Sequence, residues 1–243
     1  MVSGPAAGDA VARAQRLNGL RVGLHLVLVE GRPVLPPESL PDLVDSAGRF
    51  RLGLAELSLA IIARPSIRRQ VASEIEGQFA AFRASGLRLD HVNAHKHFHL
   101  HPTVARAIIA IGRSFGLDAL RVPIEPRSVL AIVEPRTPRG SIWVTAPWAA
   151  RLARTARRAG LRTPDAVFGL AWSGAMTAPR LAGLLDHLPA GRTEIYLHPA
   201  TRDDFPGHAA GYRYRDELVA LTAPSSIAAT RRADLKLGGY VDF

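Results

Sequence analysis

Residues 21–29, RVGLHLVLV, are apolar on both of their alternating faces. Leu24 and Leu26 lie on one face of the predicted strand, and Val27 and Val29 lie on the other. A strand with two apolar faces fits a parallel sheet that helices cover on both sides. The segment therefore predicts a buried strand of an α/β fold, with one titratable side chain, His25, inside it.

Predicted strands and helices alternate about six times along the chain, which is typical of an α/β layer fold or a (β/α) barrel. The predicted helices cover residues 5–18, 67–85, 102–116, 147–160, 177–188, 216–221 and 225–230. The predicted strands cover residues 21–29, 87–93, 119–123, 166–170, 194–197 and 236–241, and long loops are predicted at 31–50 and 126–141. No stretch has the composition of a linker, so we expect a single domain over residues 1–243.

The absence of cysteine excludes several kinds of site. Disulfides, thiolate zinc sites, iron–sulfur clusters and cysteine nucleophiles all require that side chain. No apolar run approaches the ~20 residues of a membrane span. Residues 1–10 also lack the basic and apolar regions of a signal peptide. From these features we expect a cytoplasmic protein.

The chain is strongly basic, with 31 Lys and Arg residues against 21 Asp and Glu residues and a net charge of +10. Such a charge would suit a nucleic acid or an anionic membrane surface as partner. The arginines are scattered, however, and the aromatic residues do not cluster with them. An arginine-rich, lysine-poor composition is also what GC-rich coding DNA produces. We therefore expect no nucleic-acid partner.

Histidines dominate residues 91–102, HVNAHKHFHLHP. If this segment stays extended, one face carries a polar row made of His91, Asn93, His95, His97, His99 and His101. Histidine is the commonest metal ligand, and the carboxyl end of a strand is where α/β folds place active sites. The alternatives are a solvated loop and adventitious metal binding.

Other strand ends carry further candidates. His25 needs a partner in its apolar strand, and a hydrogen-bonded core histidine is the alternative to a metal ligand. His198, in EIYLHPAT, follows the predicted strand 194–197. Hydrolytic metal sites usually add a carboxylate. No acidic residue falls at a strand end next to His25 or His95. Asp90 has the opposite parity to the histidine row, Glu30 is expected in an exposed turn, and Asp203 and Asp204 are expected as surface charges in a loop after His198.

Two non-histidine residues are also candidates for binding substrate. Arg121 ends the predicted strand 119–123, where it either binds substrate or pairs with Glu125. Trp172 follows the predicted strand 166–170, where it either lines a pocket or packs in the core.

Three segments, taken in order, resemble one known family. They are GLHLVLVEGRPVLPPESLPDLVDSAGRF at 23–50, HVNAHKHFHLHP at 91–102 and EIYLHPAT at 194–201. Together they are similar to the YdjC/ChbG-like carbohydrate deacetylases. DHVNAHKHFHLHPTV at 90–104 and GLAWSGAMT at 169–177 resemble the branch associated with hopanoid biosynthesis, and the likeness continues through GYRYRDEL at 211–218.

The resemblance implies a deformed (β/α) barrel with a divalent metal ion, Mg²⁺ or Zn²⁺, held by one Asp and two His. His25 and His95 match the two histidine ligands, and Asn93 stands where the family commonly has Asp. His97 and His99 would contact the substrate or support the ligands. His198 matches the histidine of a late His-Pro motif and would act as the catalytic acid or contact the substrate.

The resemblance also implies an opening strand ending in Ala-Asp-Asp-Phe-Gly, which residues 1–243 do not contain. That segment would carry the Asp ligand and the Asp base, and with its helix and second strand it would add about forty residues. We therefore expect an N-terminally truncated chain whose barrel lacks its first βα unit. We also expect this polypeptide to be weakly active or inactive.

The implied reaction removes an N-acetyl group from an amino sugar, with an N-acetylglucosaminyl hopanoid as the expected substrate. A lipid-linked substrate would place the enzyme peripherally at the inner membrane, where its basic charge would favour anionic headgroups. The alternatives are a sugar-binding pseudoenzyme without the base, a metal-dependent hydrolase of another substrate such as a phosphoester and, with less support, a basic nucleic-acid-binding protein.

Overall fold

Short parallel strands alternate with helices in the computed structural model, which describes residues 1–136 and 142–243. The strands are β1 (Val22–Leu26), β2 (Leu89–Ala94), β3 (Ala166–Phe168) and β4 (Thr193–Ile195). The helices are α1 (Ala7–Gln15), α2 (Leu54–Ala63), α3 (Pro65–Ala84), α4 (Pro102–Gly112), α5 (Arg127–Val133), α6 (Ile142–Arg158), α7 (Ala178–Asp186), α8 (Tyr214–Thr222) and α9 (Pro224–Ala229). Within the described ranges, no helix is both long and apolar enough to cross a membrane. The predicted α/β class is confirmed.

The chain forms two compact units. Unit 1 consists of Met1–Arg121, Arg151–Thr163 and Gly239–Phe243. Unit 2 consists of Val122–Ala150 and Pro164–Gly238. Each unit contains one pair of parallel strands, β1 with β2 in unit 1 and β3 with β4 in unit 2.

Unit 1 is built around the β1–β2 pair. His25 lies directly beside Asn93 in the parallel register, and a bulge interrupts the pairing between Val22 and Leu24. Single parallel bridges join Val92 to Leu120 and Ala119 to Arg162, so the pairing extends beyond β2. The two neighbouring strands therefore place the side chains of His25 and Asn93 next to each other.

Helix α3 covers one side of this pair because it presents an apolar face at helical spacing. Its buried apolar residues are Ile67, Val71, Ile75, Phe79 and Phe82. Pro65 begins the helix, and Gly86, in the left-handed conformation at φ +72°, follows its end. Helix α4, which begins at Pro102, packs against α3 and completes the apolar core of the unit.

Unit 2 has its own core around the β3–β4 pair. All three residues of β3 are buried, which fits a strand covered on both faces. Phe168 and Trp172 pack with Leu181 and Leu184 of α7. Val167 also donates its backbone N–H to the carbonyl of Ile124 at 2.7 Å, so the chain before α5 lies beside β3.

Most predicted elements are confirmed with bounds that differ by a few residues, but some are wrong. The predicted strand over 119–123 is reduced to isolated bridges at Ala119 and Leu120. Residues 127–133 of the predicted loop form α5, and the predicted strand over 236–241 is absent, with a 3₁₀ turn at Tyr240–Asp242 instead. Helix α5 is only seven residues long and begins after Pro126, so the sequence of this segment is hard to tell from a proline-containing loop. The rest of that predicted loop, residues 137–141, lies outside the described residues.

Candidate functional site

His25 and Asn93 meet where β1 and β2 run side by side. Their side chains join through His25 Nδ1 and Asn93 Oδ1 at 2.5 Å. Burial lowers the pKa of His25 to about 3, against the opposing effect of this hydrogen bond. The imidazole is therefore neutral at neutral pH, and its predicted need for a partner is met by an amide oxygen.

His95 begins the turn that follows β2 and lies next to His25. The two ring centroids are 5.8 Å apart, and the rings meet edge to face at 73°. Burial also lowers the pKa of His95, although Glu30, whose Oε2 lies 3.6 Å from His95 Nε2, opposes the shift. The structure thus brings together two imidazoles that are both favoured in the neutral, metal-binding form.

The turn beside these rings has an unusual backbone. Glu30, Lys96 and His97 have φ values of +54°, +50° and +53°, and they are the non-glycine residues with positive φ in the described part of the chain. Each such residue costs roughly 1–3 kcal/mol, and strain of this kind concentrates at functional sites. An ion pair between Lys96 and Glu30 joins the two strained segments. The sequence placed Glu30 in a simple exposed turn and missed this arrangement.

The predicted row of side chains on one extended face is wrong beyond Asn93. Strand β2 ends at Ala94, and residues His95–Leu100 form a kinked 3₁₀ segment. Lys96 and His97 have a left-handed backbone conformation, which breaks the two-residue alternation of side chains that the predicted row requires.

His97 and His99 therefore have different surroundings. Their ring centroids lie 5.8 Å apart, and His97 is half-buried. His99 is fully buried, and its Nδ1 accepts the backbone N–H of Ala94 at 3.2 Å. His99 thus holds the turn in place, and its predicted contact with substrate stays a prediction.

Arg121 belongs to the same cluster of unit 1. Its backbone N–H donates to the carbonyl of Val92 at 3.0 Å. Burial is the main cause of the low pKa of His25 and of His99, and the positive charge of Arg121 contributes to both. The guanidinium therefore lies close enough to favour neutral imidazoles.

His198 and Trp172 lie in unit 2. The His198 ring packs against Tyr196 and Tyr212, with centroids at 5.6 and 5.1 Å. Its Nδ1 lies 3.9 Å from Oε2 of Glu217, a carboxylate that is fully buried and also accepts the N–H of Met176 at 3.0 Å. The sequence reasoning missed Glu217, although it lies in the GYRYRDEL segment.

Trp172 is only 2% exposed and packs in the core of unit 2. The packing alternative for this ring is thus what the structure has, and its predicted contact with substrate stays a prediction. Ser173 in the same loop hydrogen-bonds Tyr212 through their hydroxyls at 2.8 Å.

The metal-binding capacity of these residues is partial. Over residues 1–136 and 142–243, no group of three or more His, Asp or Glu side chains is arranged to hold a metal ion. His25 and His95 fit a divalent cation in donor type, because neutral imidazole nitrogens suit Zn²⁺ and similar ions. They supply two of the three protein ligands that catalytic zinc sites typically use.

Known proteins resemble this chain over most of its length. A carbohydrate deacetylase from Mus musculus is 31% identical over 93% of this chain and 78% of its own. One from Geobacillus stearothermophilus is 29% identical over 100% of this chain and 84% of its own. A crystal structure from Enterococcus faecalis, named as a cellobiose-phosphate cleavage protein, has a similar fold with a TM-score of 0.73, at 24% identity over 100% of this chain and 85% of that one.

The family model of the YdjC-like proteins matches residues 1–232. That match covers all four strands and both groups of candidate site residues. The chain belongs to the YdjC-like protein family.

Proposed function

We propose that this protein is a carbohydrate deacetylase that hydrolyses the N-acetyl group of an amino sugar. The observation that carries the proposal is the pair of neutral imidazoles, His25 and His95, at adjoining strand ends with centroids 5.8 Å apart. Membership of the YdjC-like family and the deacetylase names of its relatives support the choice of substrate class. We further propose that the α/β fold is a deformed (β/α) barrel in a single domain.

The proposed cofactor is a divalent metal ion, Mg²⁺ or Zn²⁺, with His25 and His95 as ligands. When bound, such an ion polarises an acyl oxygen and lowers the pKa of a water molecule. Partial burial favours the neutral state of both rings and supports this role, since a protonated imidazole cannot bind a metal. A third metal ligand and the catalytic base would be carboxylates, in addition to the two histidines.

The other candidate residues would bind the sugar and move a proton. We assign His198 as the acid that protonates the leaving amine, because the buried carboxylate of Glu217 near its Nδ1 would stabilise a charged ring. His97, His99, Arg121 and Trp172 are proposed to contact the substrate or to support those contacts. Arg121 is the cation of this group and would bind an oxygen of the sugar or its carrier.

Full turnover is proposed to need the Asp-Asp motif that the family resemblance places before the first strand. Residues 1–243 contain no Ala-Asp-Asp-Phe-Gly segment, and their Asp203-Asp204 pair lies in a loop after His198, so we expect weak activity from this polypeptide alone. Turnover by the purified 243-residue protein at the rate of a complete deacetylase would contradict this part of the proposal. The catalytic base would then be a residue other than the aspartates of that motif.

The proposed substrate is an N-acetylglucosaminyl hopanoid, which would bring the protein to a membrane surface. The net charge of +10 supports such a contact at ~1 kcal/mol per well-placed cation. We expect cosedimentation with vesicles that contain anionic lipid, and less of it with neutral vesicles or in high salt. Equal binding to both vesicle types would contradict the membrane contact.

The deacetylase proposal is tested by measuring acetate released from N-acetylated amino sugars with Zn²⁺ or Mg²⁺ present. We expect the release to stop with a chelator and to return with added metal. His25→Ala should abolish it, whereas His187→Ala, at an exposed residue of unit 2, should not change it. His198→Ala should lower it about 10²–10⁴-fold. Binding of the sugar without any release of acetate would favour the pseudoenzyme.

A further inference from the structure

A line of hydrogen-bonded side chains connects a buried carboxylate to the ring of His25. Asp90 Oδ2 lies 2.8 Å from His91 Nδ1, and His91 Nε2 lies 3.3 Å from Asn93 Nδ2. Asn93 Oδ1 then lies 2.5 Å from His25 Nδ1. We propose that Asp90, His91 and Asn93 are positioning residues that hold His25 in its Nδ1–H tautomer and so leave its Nε2 lone pair available to a ligand.

The donor and the acceptor of each hydrogen bond follow from the carboxylate of Asp90, at which the series begins. A carboxylate only accepts, so the hydrogen of a neutral His91 ring lies on Nδ1 and faces Asp90. His91 Nε2 must then accept, which turns the NH₂ of Asn93 toward it and the amide oxygen toward His25. That oxygen can accept but not donate, and the hydrogen of His25 therefore lies on Nδ1.

Asp90, the carboxylate at which the hydrogen-bonded series begins, also has backbone partners. Asp90 also accepts the backbone N–H groups of Tyr240 and Val241, at 3.1 and 3.3 Å. Burial alone would raise the pKa of Asp90, but His91 and these two N–H groups outweigh it and hold the pKa below its usual value. Asp90 is thus an ionised acceptor in a defined position.

Two glycines provide the space that the chain occupies. A Cβ atom at Gly23 would lie 2.5 Å from the His91 ring, and one at Gly239 would lie 2.3 Å from Asp90 Oδ1. The His91 ring also stacks on Tyr240, with centroids 4.2 Å apart and an angle of 20°. The ring therefore packs closely against both the backbone at Gly23 and the ring of Tyr240, which limits its rotation.

The consequence for His25 is a single available nitrogen. Imidazoles that bind metals usually donate their other ring N–H to an oxygen, and this fixes both tautomer and orientation. In this chain the immediate oxygen is an uncharged amide, and the negative charge lies at Asp90, two hydrogen bonds further back. The metal-binding consequence rests on the proposed function, whereas the tautomer does not.

The tautomer is measurable in the metal-free protein by ¹⁵N NMR of the imidazole rings. We expect a pyrrole-type signal for His25 Nδ1 and a pyridine-type signal for Nε2. A pyridine-type Nδ1 in the unmodified protein would overturn the inference without recourse to any variant.

His91→Phe breaks the chain but retains a ring that can stack on Tyr240. We expect His25 in this variant to shift toward a mixture of tautomers, while the dispersion of the backbone amide signals shows that the fold persists. His187→Phe, at an exposed residue of unit 2, is the matched control and should leave His25 unchanged. An unchanged His25 tautomer in folded His91→Phe protein would also overturn the inference.

Calorimetric titration with Zn²⁺ alone separates this inference from the proposed function. We expect Zn²⁺ to bind the His91→Phe variant about 10–100-fold more weakly than the unmodified protein. Equal Zn²⁺ affinity in both proteins would contradict the positioning role. Absence of Zn²⁺ binding by the unmodified protein, together with the Nδ1–H tautomer, would contradict the metal site of the proposed function and support the hydrogen-bond chain.

Discussion

Buried carboxylates hold backbone segments in both units. Glu74 accepts the N–H groups of Val34 and Leu35 in unit 1, at 2.8 and 3.1 Å. Glu125 of unit 2 accepts three consecutive N–H groups, from residues 169–171, at 2.8–3.0 Å. Such groups are costly to bury unless hydrogen bonds satisfy them, so each one fixes the loop that supplies its donors.

Glu125→Gln should destabilise the protein by about 1–3 kcal/mol, because one acceptor oxygen becomes an NH₂ that faces backbone donors. Glu134→Gln is the matched control, since Glu134 pairs with Arg180 in a partly exposed salt bridge of the same unit. Its loss should cost about 0–1 kcal/mol. Urea unfolding of both variants measures the difference, and equal losses would contradict the role assigned to Glu125.

Glu74 should make stability fall as pH rises. Burial raises its pKa above the usual value, against the opposing hydrogen bonds from Val34, Leu35 and Gln78. The folded state therefore holds this proton more tightly than the unfolded state, so the contribution is full below the ordinary pKa and is lost as pH rises through the folded pKa. The unfolding free energy of the unmodified protein minus that of Glu74→Gln should thus decrease as pH rises above the ordinary pKa of 4.5, by at most about 1.4 kcal/mol per pH unit. An increase would contradict the direction of the shift.

Helix α3 determines where the chain goes after β1. Its fully buried Gln78 accepts the N–H of Val27 at 2.9 Å and donates to the carbonyl of the same residue at 2.7 Å. One side chain thus satisfies both backbone groups of Val27, as a neighbouring strand would. The backbone then leads to Glu30, beside His95, so the helix supports the segment that reaches the candidate site.

Gln78→Ala should cost about 2–4 kcal/mol, because two buried backbone groups lose their partners at about 1–3 kcal/mol each and partly recover them from water. Glu76→Ala, on the exposed side of the same helix, is the control and should stay within about 0.5 kcal/mol of the unmodified protein. Hydrogen exchange at the Val27 amide gives a local readout. Unchanged protection at that amide in Gln78→Ala would contradict this account.

The chain passes between the two units at 121/122, 150/151, 163/164 and 238/239. Because the chain crosses between the units four times, a single cleavage cannot separate the two complete units. This connectivity supports the prediction of one domain that unfolds in a single transition.

The single-domain prediction can be checked with the natural fluorophores, because Trp143, Trp148 and Trp172 all belong to unit 2. Leu24→Ala, in the core of unit 1, should cost about 2–5 kcal/mol and shift the tryptophan fluorescence and circular dichroism midpoints together. Leu59→Ala, at a residue of unit 1 that is 68% exposed, should shift neither. A fluorescence midpoint unaffected by Leu24→Ala would show that the units unfold separately.

Elements with a strong local pattern were predictable from the sequence. The doubly apolar run at 21–29 contains β1, and the apolar spacing over 67–85 matches α3 within two residues at each end. Helices α2 and α5 lacked such a signal, since α2 is apolar nearly all round and α5 follows a proline-rich stretch. The histidine candidates were found by residue type. The extended row predicted for them is wrong, because Lys96 and His97 have positive φ values and the strand ends before them.

Local patterning thus decided the class of fold, the positions of the main strands and helices, and the choice of His25, His198 and the histidine row as candidates. The family resemblance then singled out His95 within that row. These features depend on residues a few positions apart, and sequence displays such relations directly. The partners of those side chains depend on register and packing. His25 meets Asn93, 68 residues away, and Tyr240 meets Asp90, 150 residues away. Only the tertiary structure could supply those pairs, because the spacing along a chain carries no information about which distant residues its strands bring side by side.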